Sequence, residues 1–405
     1  MRVGIERLNL YVGQLFLNLE DLALARRIDP EYLHSELMCD ERSIIPPWED
    51  AVTLAVNAAL LVLDDAIRAE IELVIVATES GIDDGKPISN WVQRYCELPS
   101  NCRSFEVKHA CYGCTAALKM AASWVASGTR QGKKALVVNT DLSRPGIGSP
   151  IEHLGGGSAV AMIVGDEPEI LEIDLEHAGY WTHEIDDNLR PAPGIEIVAE
   201  LLSVYSYLDA LDGAYDHFER VSGPIDYTER FARHIYHAPF PGMTLQAHRA
   251  MMSRFGHNRN HGVQSFKERV EPGLTFARRL GSSYGSSNYV SLLGHMHDLH
   301  RLIPGDHISF FSYGGGCQGE FWHGTVGRAA RTFSSDSIAA RLDARMRLSM
   351  DQYETLEGNR AELGGLPSYI PNRADPTGVY EGRYAGQHLL VLEGVKDYIR
   401  AYGWS

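Results

Sequence analysis

The sequence lacks several features that mark special classes of protein. It contains no apolar run of about eighteen residues, the length that a membrane-spanning helix needs. The stretch from Met1 to Arg7 lacks the apolar segment of a secretory signal peptide. The six cysteines form no spaced framework of the kind that builds disulfide-rich domains. They are Cys39, Cys96, Cys102, Cys111, Cys114 and Cys317. We therefore expect a cytoplasmic protein with reduced thiols.

Positive charge is also scarce. Lysine and arginine number 37 against 53 acidic residues, which gives a formal net charge of −16. This balance argues against a nucleic-acid partner, because phosphate binding needs a basic surface. One stretch is locally basic and is either a docking surface for an acidic partner or a set of solvated charges. Its cations are Arg220, Arg230, Arg233, Arg249, Arg254, Lys267, Arg269, Arg278 and Arg279.

What is present is an α/β pattern that occurs twice. A helix, a strand, a glycine triplet and a second strand follow one another within residues 111–165, and the same order returns within residues 281–327. Alternating helices and strands with short loops indicate a layered fold rich in parallel strands. We predict an N-terminal half over 1–177, an inserted cap over 178–222 and a C-terminal half over 223–405.

The stretch around Cys111 is the strongest candidate for chemistry. The apolar residues after it have helical spacing, which places this cysteine at or just before a helix N-terminus, where a thiolate is favoured. The alternative is a buried, inert cysteine. Cys111 and Cys114 also have C-x-x-C spacing, but no second ligand pair for zinc accompanies them, and a thioredoxin-like redox site belongs to a smaller βαβ unit.

Glu79 is the second candidate. It follows the apolar strand over 71–78, at the edge where catalytic side chains collect in α/β sheets. Apolar neighbours would raise the pKa of its carboxyl and suit it to act as a base. The alternative is a solvated loop acid.

His237 is the third candidate, because Pro239, Pro241 and Gly242 restrict the chain beside it. Its rivals are His109, His234 and His248. The glycine triplets 155–157 and 314–316 lack the spacing of phosphate-binding loops, so we predict tight packing between the halves, with one triplet supplying an oxyanion N–H.

Taken together, these segments resemble the 3-hydroxy-3-methylglutaryl-CoA synthases, a branch of the thiolase superfamily, over most of the chain. The resemblance implies a thiolase-like αβαβα fold of two related halves. It is carried by residues 77–83 (Ala-Thr-Glu-Ser-Gly-Ile-Asp), 110–118 (Ala-Cys-Tyr-Gly-Cys-Thr-Ala-Ala-Leu), 155–161, 205–211, 237–240 (His-Ala-Pro-Phe) and 311–316.

The resemblance implies a role for each candidate. Cys111 would be acylated by an acetyl thioester, and Glu79 would remove a proton from the acetyl methyl group. His237 would position the β-ketone of a second thioester and protonate the alkoxide, and water would release the product from Cys111. Backbone N–H groups of Cys111 and of residues 314–316 would hold the thioester oxygen. The resemblance further implies substrate contacts by Tyr112, Ser206, Ser282, Tyr284, Gly315 and Gly316.

Three departures from the family bear on the substrate. Ser282 stands where relatives have Asn in a Gly-Asn-x-Tyr segment, and Gly315 stands where relatives tend to have Ser. Residues 241–247 contain no Lys, whereas CoA-using members place one there to meet the CoA phosphates. The last departure argues against free CoA as the main acceptor.

The sequence therefore looks most like the β-branching enzymes of polyketide assembly lines, which work on acyl carrier proteins. We expect an acetyl or propionyl donor carrier, an acceptor carrier, a phosphopantetheine arm brought by these partners, no cofactor or metal of the protein's own, and a homodimer. Carrier docking is assigned to Arg220, Arg230, Arg233 and Arg249. The alternatives are an HMG-CoA synthase acting on acetyl-CoA and acetoacetyl-CoA, an initiating ketosynthase that would not need Glu79, and an inactive scaffold.

Overall fold

The computed structural model describes residues 2–129, 131–192, 195–297, 302–331, 336–363, 365–374 and 378–405. Its strands are β1 Gly4–Tyr11, β2 Leu15–Asn18, β3 Glu41–Ile44, β4 Ile71–Ala77, β5 Arg103–Val107, β6 Lys134–Ser143, β7 Gly156–Gly165, β8 Leu171–Thr182, β9 Asn188–Ala192, β10 Ile195–Val198, β11 Arg233–Tyr236, β12 His307–Gly314, β13 Gln318–Val326, β14 Met346–Arg347, β15 Leu390–Lys396 and β16 Ile399–Trp404. Its α-helices are α1 Leu19–Arg26, α2 Ala51–Leu60, α3 Asp65–Glu70, α4 Ile88–Tyr95, α5 Gly113–Ala126, α6 Glu200–Ser222, α7 Tyr227–Arg230, α8 Met243–Arg254, α9 Arg259–Arg269, α10 Ser287–His297, α11 Asp336–Asp343, α12 Met350–Leu363 and α13 Val379–Arg383.

Nine of these strands form one mixed sheet in the order β11-β12-β13-β8-β1-β7-β6-β4-β5. Along β1-β7-β6-β4 the pairings are antiparallel, antiparallel and parallel. Along β8-β13-β12-β11 the same series recurs. A helix precedes the equivalent strand in each series, α5 before β6 and α10 before β12. The predicted internal repeat is thereby confirmed.

The two halves of this sheet fold onto a shared central layer of helices. The two halves of the sheet pair through β1 and β8, where Gly4 and Ile5 lie opposite Glu172 and Leu171. The helix α5 packs against both β6 and β8, and α10 packs against both β12 and β1. Helices α2 and α4 cover the outer face of the first half, and α6 covers the second. The predicted αβαβα layering is therefore confirmed.

The local sequence explains the elements that carry the site. Strand β4 is apolar at every position except Glu72, because helices cover it on both faces. In α5, the buried face consists of small and aliphatic side chains (Ala117, Leu118, Ala121, Ala122 and Val125), so the helix fits closely between the two halves of the sheet.

The predicted domain boundaries need correction. The boundary at 177 falls inside β8, because residues 178–182 continue a strand that pairs with β13. Residues 200–222 form α6, which covers one face of the C-terminal half. Within the predicted cap of 178–222, the strands outside the main sheet are β9 and β10, which form a two-stranded hairpin. The end of the chain returns to the N-terminal half, where Leu390 and Leu392 pack with α2.

The described part of the chain holds no helix that is both long and apolar enough to cross a membrane. All six cysteines are free thiols.

The first glycine triplet forms a close seam between the halves. Gly281 has a φ of +71°, and a Cβ on it would overlap the carbonyl oxygen of Gly155. A Cβ on Gly156 would in turn overlap the carbonyl oxygen of Leu280. The predicted role of this triplet in packing is consistent with the backbone-to-backbone contact.

We predict that Gly281→Ala lowers the free energy of unfolding by about 2–4 kcal/mol, because it adds a left-handed alanine and a backbone overlap. The matched control is Gly358→Ala in α12, where a Cβ meets no atom within 4 Å. This control should be neutral or stabilise by about 0.5–1 kcal/mol. Urea unfolding followed by circular dichroism measures both, and equal midpoints for the two variants would contradict the prediction.

Candidate active site

Cys111 and Glu79 lie side by side. The Sγ atom of Cys111 is 3.6 Å from Oε1 of Glu79 and donates to it. Glu79 comes two residues after the end of β4, and Cys111 comes two residues before the start of α5. The main-chain N–H of Gly113 donates to His109 O, a turn that leads the chain into the helix. The thiol and the carboxyl group, which come from separate parts of the sequence, therefore lie together at one edge of the sheet.

Burial makes both groups reluctant to ionise. Desolvation and the nearby Asp141 raise the pKa of Glu79 from 4.5 to about 8, while Arg190 opposes the rise. Desolvation and the Glu79 charge raise the pKa of Cys111 well above its ordinary value. At neutral pH the thiol is therefore protonated, and the carboxyl group, with a pKa of about 8, holds its own proton in most molecules. Only the ionised carboxylate can accept the thiol proton.

Asp141 organises the loop that carries Glu79. Its Oδ1 accepts hydrogen bonds from the main-chain N–H of Glu79 (2.9 Å), the Ser80 hydroxyl (3.0 Å) and the Thr78 hydroxyl (3.1 Å). Its Oδ2 accepts from the amide of Asn139 at 2.9 Å. Burial raises the pKa of this carboxyl to about 6. Our sequence analysis missed it, although the rule that selected Glu79 applies equally to an acid at the end of β6.

His237 directly follows β11 and is fully enclosed. Its main-chain N–H donates to Phe311 O at 2.7 Å, and the Tyr207 hydroxyl donates to its carbonyl at 2.8 Å. Its Nδ1 lies 2.8 Å from the Ser287 hydroxyl oxygen, which also accepts from the N–H of Ala238 at 3.2 Å. Burial lowers the pKa of the imidazole to about 3, so the ring is neutral.

The segment 285–287 links this imidazole to the thiol. A Cβ on Gly285 would lie 2.8 Å from the carbonyl oxygen of Cys111 and 3.0 Å from Cβ of Cys114. Ser286 accepts from Asn139 at 3.1 Å, and Ser287 holds His237. His237 and Cys111 are therefore both supported by the segment 285–287.

The Tyr112 hydroxyl bonds to a buried ion pair formed by Glu320 and Lys119. Its hydroxyl donates to Oε2 of Glu320 at 2.7 Å, and Nζ of Lys119 is 3.4 Å from the other oxygen. Lys119 also lies 4.6 Å from the centre of the Trp322 ring. This contact ties the start of α5 to β13, and a role for Tyr112 in substrate binding stays a prediction.

The second glycine triplet, residues 314–316, lies against the residues around Cys111 that lead into α5. A Cβ on Gly314 would lie 2.7 Å from the main-chain nitrogen of Tyr112, so only glycine permits this approach. The N–H of Gly316 donates to Asp187 at 2.8 Å. The prediction that all three glycines of 314–316 hold the thioester oxygen therefore needs correction at Gly316, whose N–H is already bonded.

Ser206 is placed at this side of the site by a short relay. The hydroxyl of Tyr313 donates to Asp187 at 2.6 Å and lies 2.8 Å from the Ser206 hydroxyl, with which it also bonds. Gly315 faces the same carboxyl, since a Cβ on it would lie 3.0 Å from Asp187 Oδ1. The substrate contacts predicted for Ser206 and Gly315 stay predictions.

Ser282 contacts the segment before the first glycine triplet, and Tyr284 contacts the β9–β10 hairpin. The main-chain N–H of Ser282 donates to Leu154 O at 2.8 Å, and its hydroxyl bonds no other described residue. Tyr284 has a φ of +46°, and its hydroxyl donates to Glu196 at 3.1 Å. The guanidinium of Arg190 lies 5.5 Å from the centre of the Tyr284 ring. Arg190 and Glu196, both on the β9–β10 hairpin, were missed because no local pattern marks them.

The basic stretch is not one patch beside the site. Arg230 ends α7 and Arg233 begins β11, whose other end leads into His237. Arg220 is exposed near the end of α6, and Arg249 is half-buried in α8. Three further arginines form ion pairs, Arg254 with Asp212 and Asp216, Arg278 with Asp40, and Arg279 with Glu41 and Asp343. Carrier docking by the four named arginines stays a prediction, which this distribution does not favour.

Among the described residues, one group of possible metal ligands lies on β8 and β13. The carboxyl of Asp174 is 3.0 Å from Nδ1 of His177 and 3.3 Å from Nε2 of His323. These groups already bond one another. The expectation that the protein has no metal stays a prediction.

Comparison with known proteins agrees with this site. The family model described as hydroxymethylglutaryl-coenzyme A synthase N terminal matches residues 1–169, and its C-terminal counterpart matches residues 256–364. The Bacillus subtilis polyketide biosynthesis 3-hydroxy-3-methylglutaryl-ACP synthase PksG is 35% identical over 417 residues, covering 99% of each chain. The chain belongs to the HMG-CoA synthase family.

Other relatives agree with this assignment. The hydroxymethylglutaryl-CoA synthase of Enterococcus faecalis is 31% identical over 88% of this chain and 91% of its own. The crystal structure of the curacin biosynthetic pathway HMG synthase in complex with holo donor-ACP superposes with a TM-score of 0.94, at 38% identity and with full coverage of both chains. The protein is accordingly an acyltransferase of the HMG-CoA synthase type, which condenses an acetyl unit with a ketone.

We predict that Glu79→Gln accelerates alkylation of Cys111 by iodoacetamide at about pH 9. Ionised Glu79 raises the pKa of the thiol, so its removal increases the thiolate fraction by about tenfold for each unit by which that pKa falls. At about pH 7 the effect should shrink, because Glu79, with a pKa of about 8, is largely protonated there. Peptide mass spectrometry measures the rate at Cys111.

The control for this experiment is Glu97→Gln, an exposed acid after α4. It should leave the rate of alkylation unchanged at both pH values. A Glu79→Gln variant that reacts no faster than the native protein at about pH 9 would contradict the electrostatic coupling of the two groups.

Proposed function

We propose that this family member is a β-branching enzyme that acts on acyl carrier proteins. It takes an acetyl unit from a donor carrier onto Cys111 and adds it to the β-ketone of a polyketide intermediate on an acceptor carrier. Water then releases the product from Cys111. The observation that carries the proposal is the 3.6 Å contact between the thiol and a carboxyl group whose pKa is about 8.

In the first step Glu79 accepts the thiol proton as sulfur attacks the acetyl thioester. A bond forms between Sγ and the acetyl carbon, and the bond from that carbon to the pantetheine sulfur breaks. Glu79 returns the proton to the departing thiol and becomes a carboxylate again. A base with a pKa near the working pH is suited to both directions of this transfer.

In the second step the Glu79 carboxylate removes a proton from the methyl group of acetyl-Cys111. The resulting enolate attacks the β-ketone of the acceptor. His237 is neutral, and Ser287 at its Nδ1 leaves Nε2 to carry the proton toward the ketone oxygen. The alkoxide takes that proton, and solvent water reprotonates the imidazole. A water molecule then attacks the acyl carbon, the bond from that carbon to Sγ breaks, and the proton that water loses on forming the carboxylic acid goes to the departing sulfur.

Two observations support a carrier rather than free CoA as the acceptor. The segment that would carry a CoA-binding lysine begins α8, where Met243 and Thr244 are buried and Gln246 is exposed and uncharged. PksG is named for ACP-linked chemistry, and the curacin enzyme is solved with a donor ACP. The phosphopantetheine arm would come with the carriers, and the protein would act as a cytoplasmic homodimer without a cofactor of its own.

We expect acetyl-carrier protein to load Cys111 at least tenfold faster than acetyl-CoA at equal concentration. Mass spectrometry of the Cys111 peptide reads the loading directly, and propionyl donors can be compared in the same assay. Faster loading from acetyl-CoA, together with condensation onto acetoacetyl-CoA, would support the alternative of isoprenoid precursor supply.

The condensation step separates the remaining alternatives. Glu79→Ala should lower condensation by about 10²–10⁴-fold, the usual contribution of a positioned base. A Glu79→Ala variant that still condenses by decarboxylating malonyl groups would favour the initiating ketosynthase. Failure of Cys111 to accept any acyl group would favour the inactive scaffold.

A further inference from the structure

The β9–β10 hairpin lies outside the main sheet but sends two charged side chains to its catalytic edge. Its strands pair Leu189 with Ile197 and Asn188 with Val198. This register brings Arg190 of β9 near Glu196 of β10, and their charged groups are 3.5 Å apart. Both side chains are largely buried, with 20% and 9% exposed.

Arg190 bonds directly to the loop of the base. Its Nη1 donates to the carbonyl oxygen of Glu79 at 3.2 Å and to the hydroxyl of Ser80 at 3.1 Å. Its Nη2 donates to Leu142 O at 3.4 Å, next to Asp141 at the end of β6. One guanidinium thus joins the ends of the two parallel strands that supply Glu79 and Asp141.

Glu196 fixes the other side of the hairpin. One oxygen accepts from the Tyr284 hydroxyl at 3.1 Å and the N–H of Arg144 at 3.2 Å. The other accepts from the Ser143 hydroxyl at 3.1 Å. These bonds hold Arg190 against the site and surround Glu196 with donors.

Five titratable groups on five segments interact electrostatically with Glu79. Four of them are acidic groups: Asp141 on β6, Glu196 on β10, Cys111 before α5 and Tyr284 before α10. The fifth is the guanidinium of Arg190 on β9. Of these five, only Arg190 carries positive charge. Arg190 lowers the pKa of Glu79, whereas Glu196 raises it. The hairpin therefore applies two opposing charges to the catalytic carboxyl.

We propose that Arg190 is a positioning residue that holds the Glu79 loop in register with Asp141 and supplies the positive charge against which Glu79 ionises during condensation. The role rests on the proposed function, in which Glu79 is the base that removes the methyl proton. Glu196 is its counter-ion and limits the effect of its charge.

The test uses two variants that each remove one charge, Arg190→Gln and Glu196→Gln, and the acetylated full-length enzyme. Acetylation removes the thiol proton from the titration, and His237, with a pKa of about 3, stays neutral above pH 5. The ascending limb of single-turnover condensation against pH then follows Glu79. Arg190→Gln should shift this limb upward by about one pH unit, and Glu196→Gln should shift it downward.

Opposite shifts distinguish the electrostatic role from a structural one, because a merely loosened hairpin would slow both variants without moving their limbs apart. Arg190→Lys, which keeps the charge and loses the fork, should retain the native limb with a reduced plateau. The control is Arg347→Gln. Arg347 lies on β14, outside the main sheet, and forms an ion pair with Asp21 of α1. This variant should match the native protein.

A second measurement does not depend on the proposed function. Arg190 also lowers the pKa of Cys111, so Arg190→Gln should slow iodoacetamide alkylation of Cys111 severalfold at a fixed pH. Native protein that alkylates as expected but never condenses would overturn the proposed function alone. Arg190→Gln protein that keeps the native circular dichroism, condensation limb and alkylation rate would overturn the role of Arg190.

Discussion

The structure depends on a thiol and a carboxyl group enclosed together in a place where both cannot be charged. Water would solvate Glu79 and leave it a weak base, whereas burial raises its pKa to about 8. The same burial keeps Cys111 protonated until a proton acceptor is in reach, and the acceptor is 3.6 Å away. The thiol and the carboxyl group can therefore exchange a proton directly, as the proposed acyl transfer requires.

The repeat explains how the remaining groups reach this proton. The strands β4 and β11 hold equivalent places in the two halves, and Glu79 and His237 follow their ends. The helices α5 and α10 are likewise equivalent, and Cys111 and Ser287 stand at their N-termini. Each half thus contributes one side chain after a strand and one at the start of a central helix. A duplicated framework has acquired an acid–base group on one side and a neutral donor on the other.

Much of this arrangement could be predicted from the sequence, because its signals are local. The apolar run of β4 followed by Glu79 and the helical spacing after Cys111 each lie within a few residues. Arg190 contacts Glu79 across a separation of 111 positions in the sequence, and Tyr112 contacts Glu320 across 208 positions. No spacing rule reaches that far, so the hairpin could be recognised only as a segment that fits neither half.

The same reasoning bears on the basic stretch, whose arginines lie in different parts of the fold. Closeness along the chain says nothing about which end of a strand a side chain occupies, and Arg233 and His237 lie at opposite ends of β11. Arginines farther along, such as Arg278, are bound to acids like Asp40. An acidic partner is attracted by charge that is unpaired and close to the entrance, so a count of cations in a stretch predicts docking poorly.

The hairpin charges complete the logic of the buried pair. A carboxyl group that must give up its proton in a low-dielectric site needs a fixed positive charge nearby, because water cannot reorganise to supply it. A bare guanidinium would stabilise the carboxylate so well that it would no longer be a base. Placing Glu196 at 3.5 Å from Arg190 offsets part of that charge. Desolvation and Asp141 raise the pKa of Glu79 to about 8, and the two hairpin charges act on that pKa in opposite directions. A pKa near neutrality is the condition under which one carboxyl group can both take and return a proton.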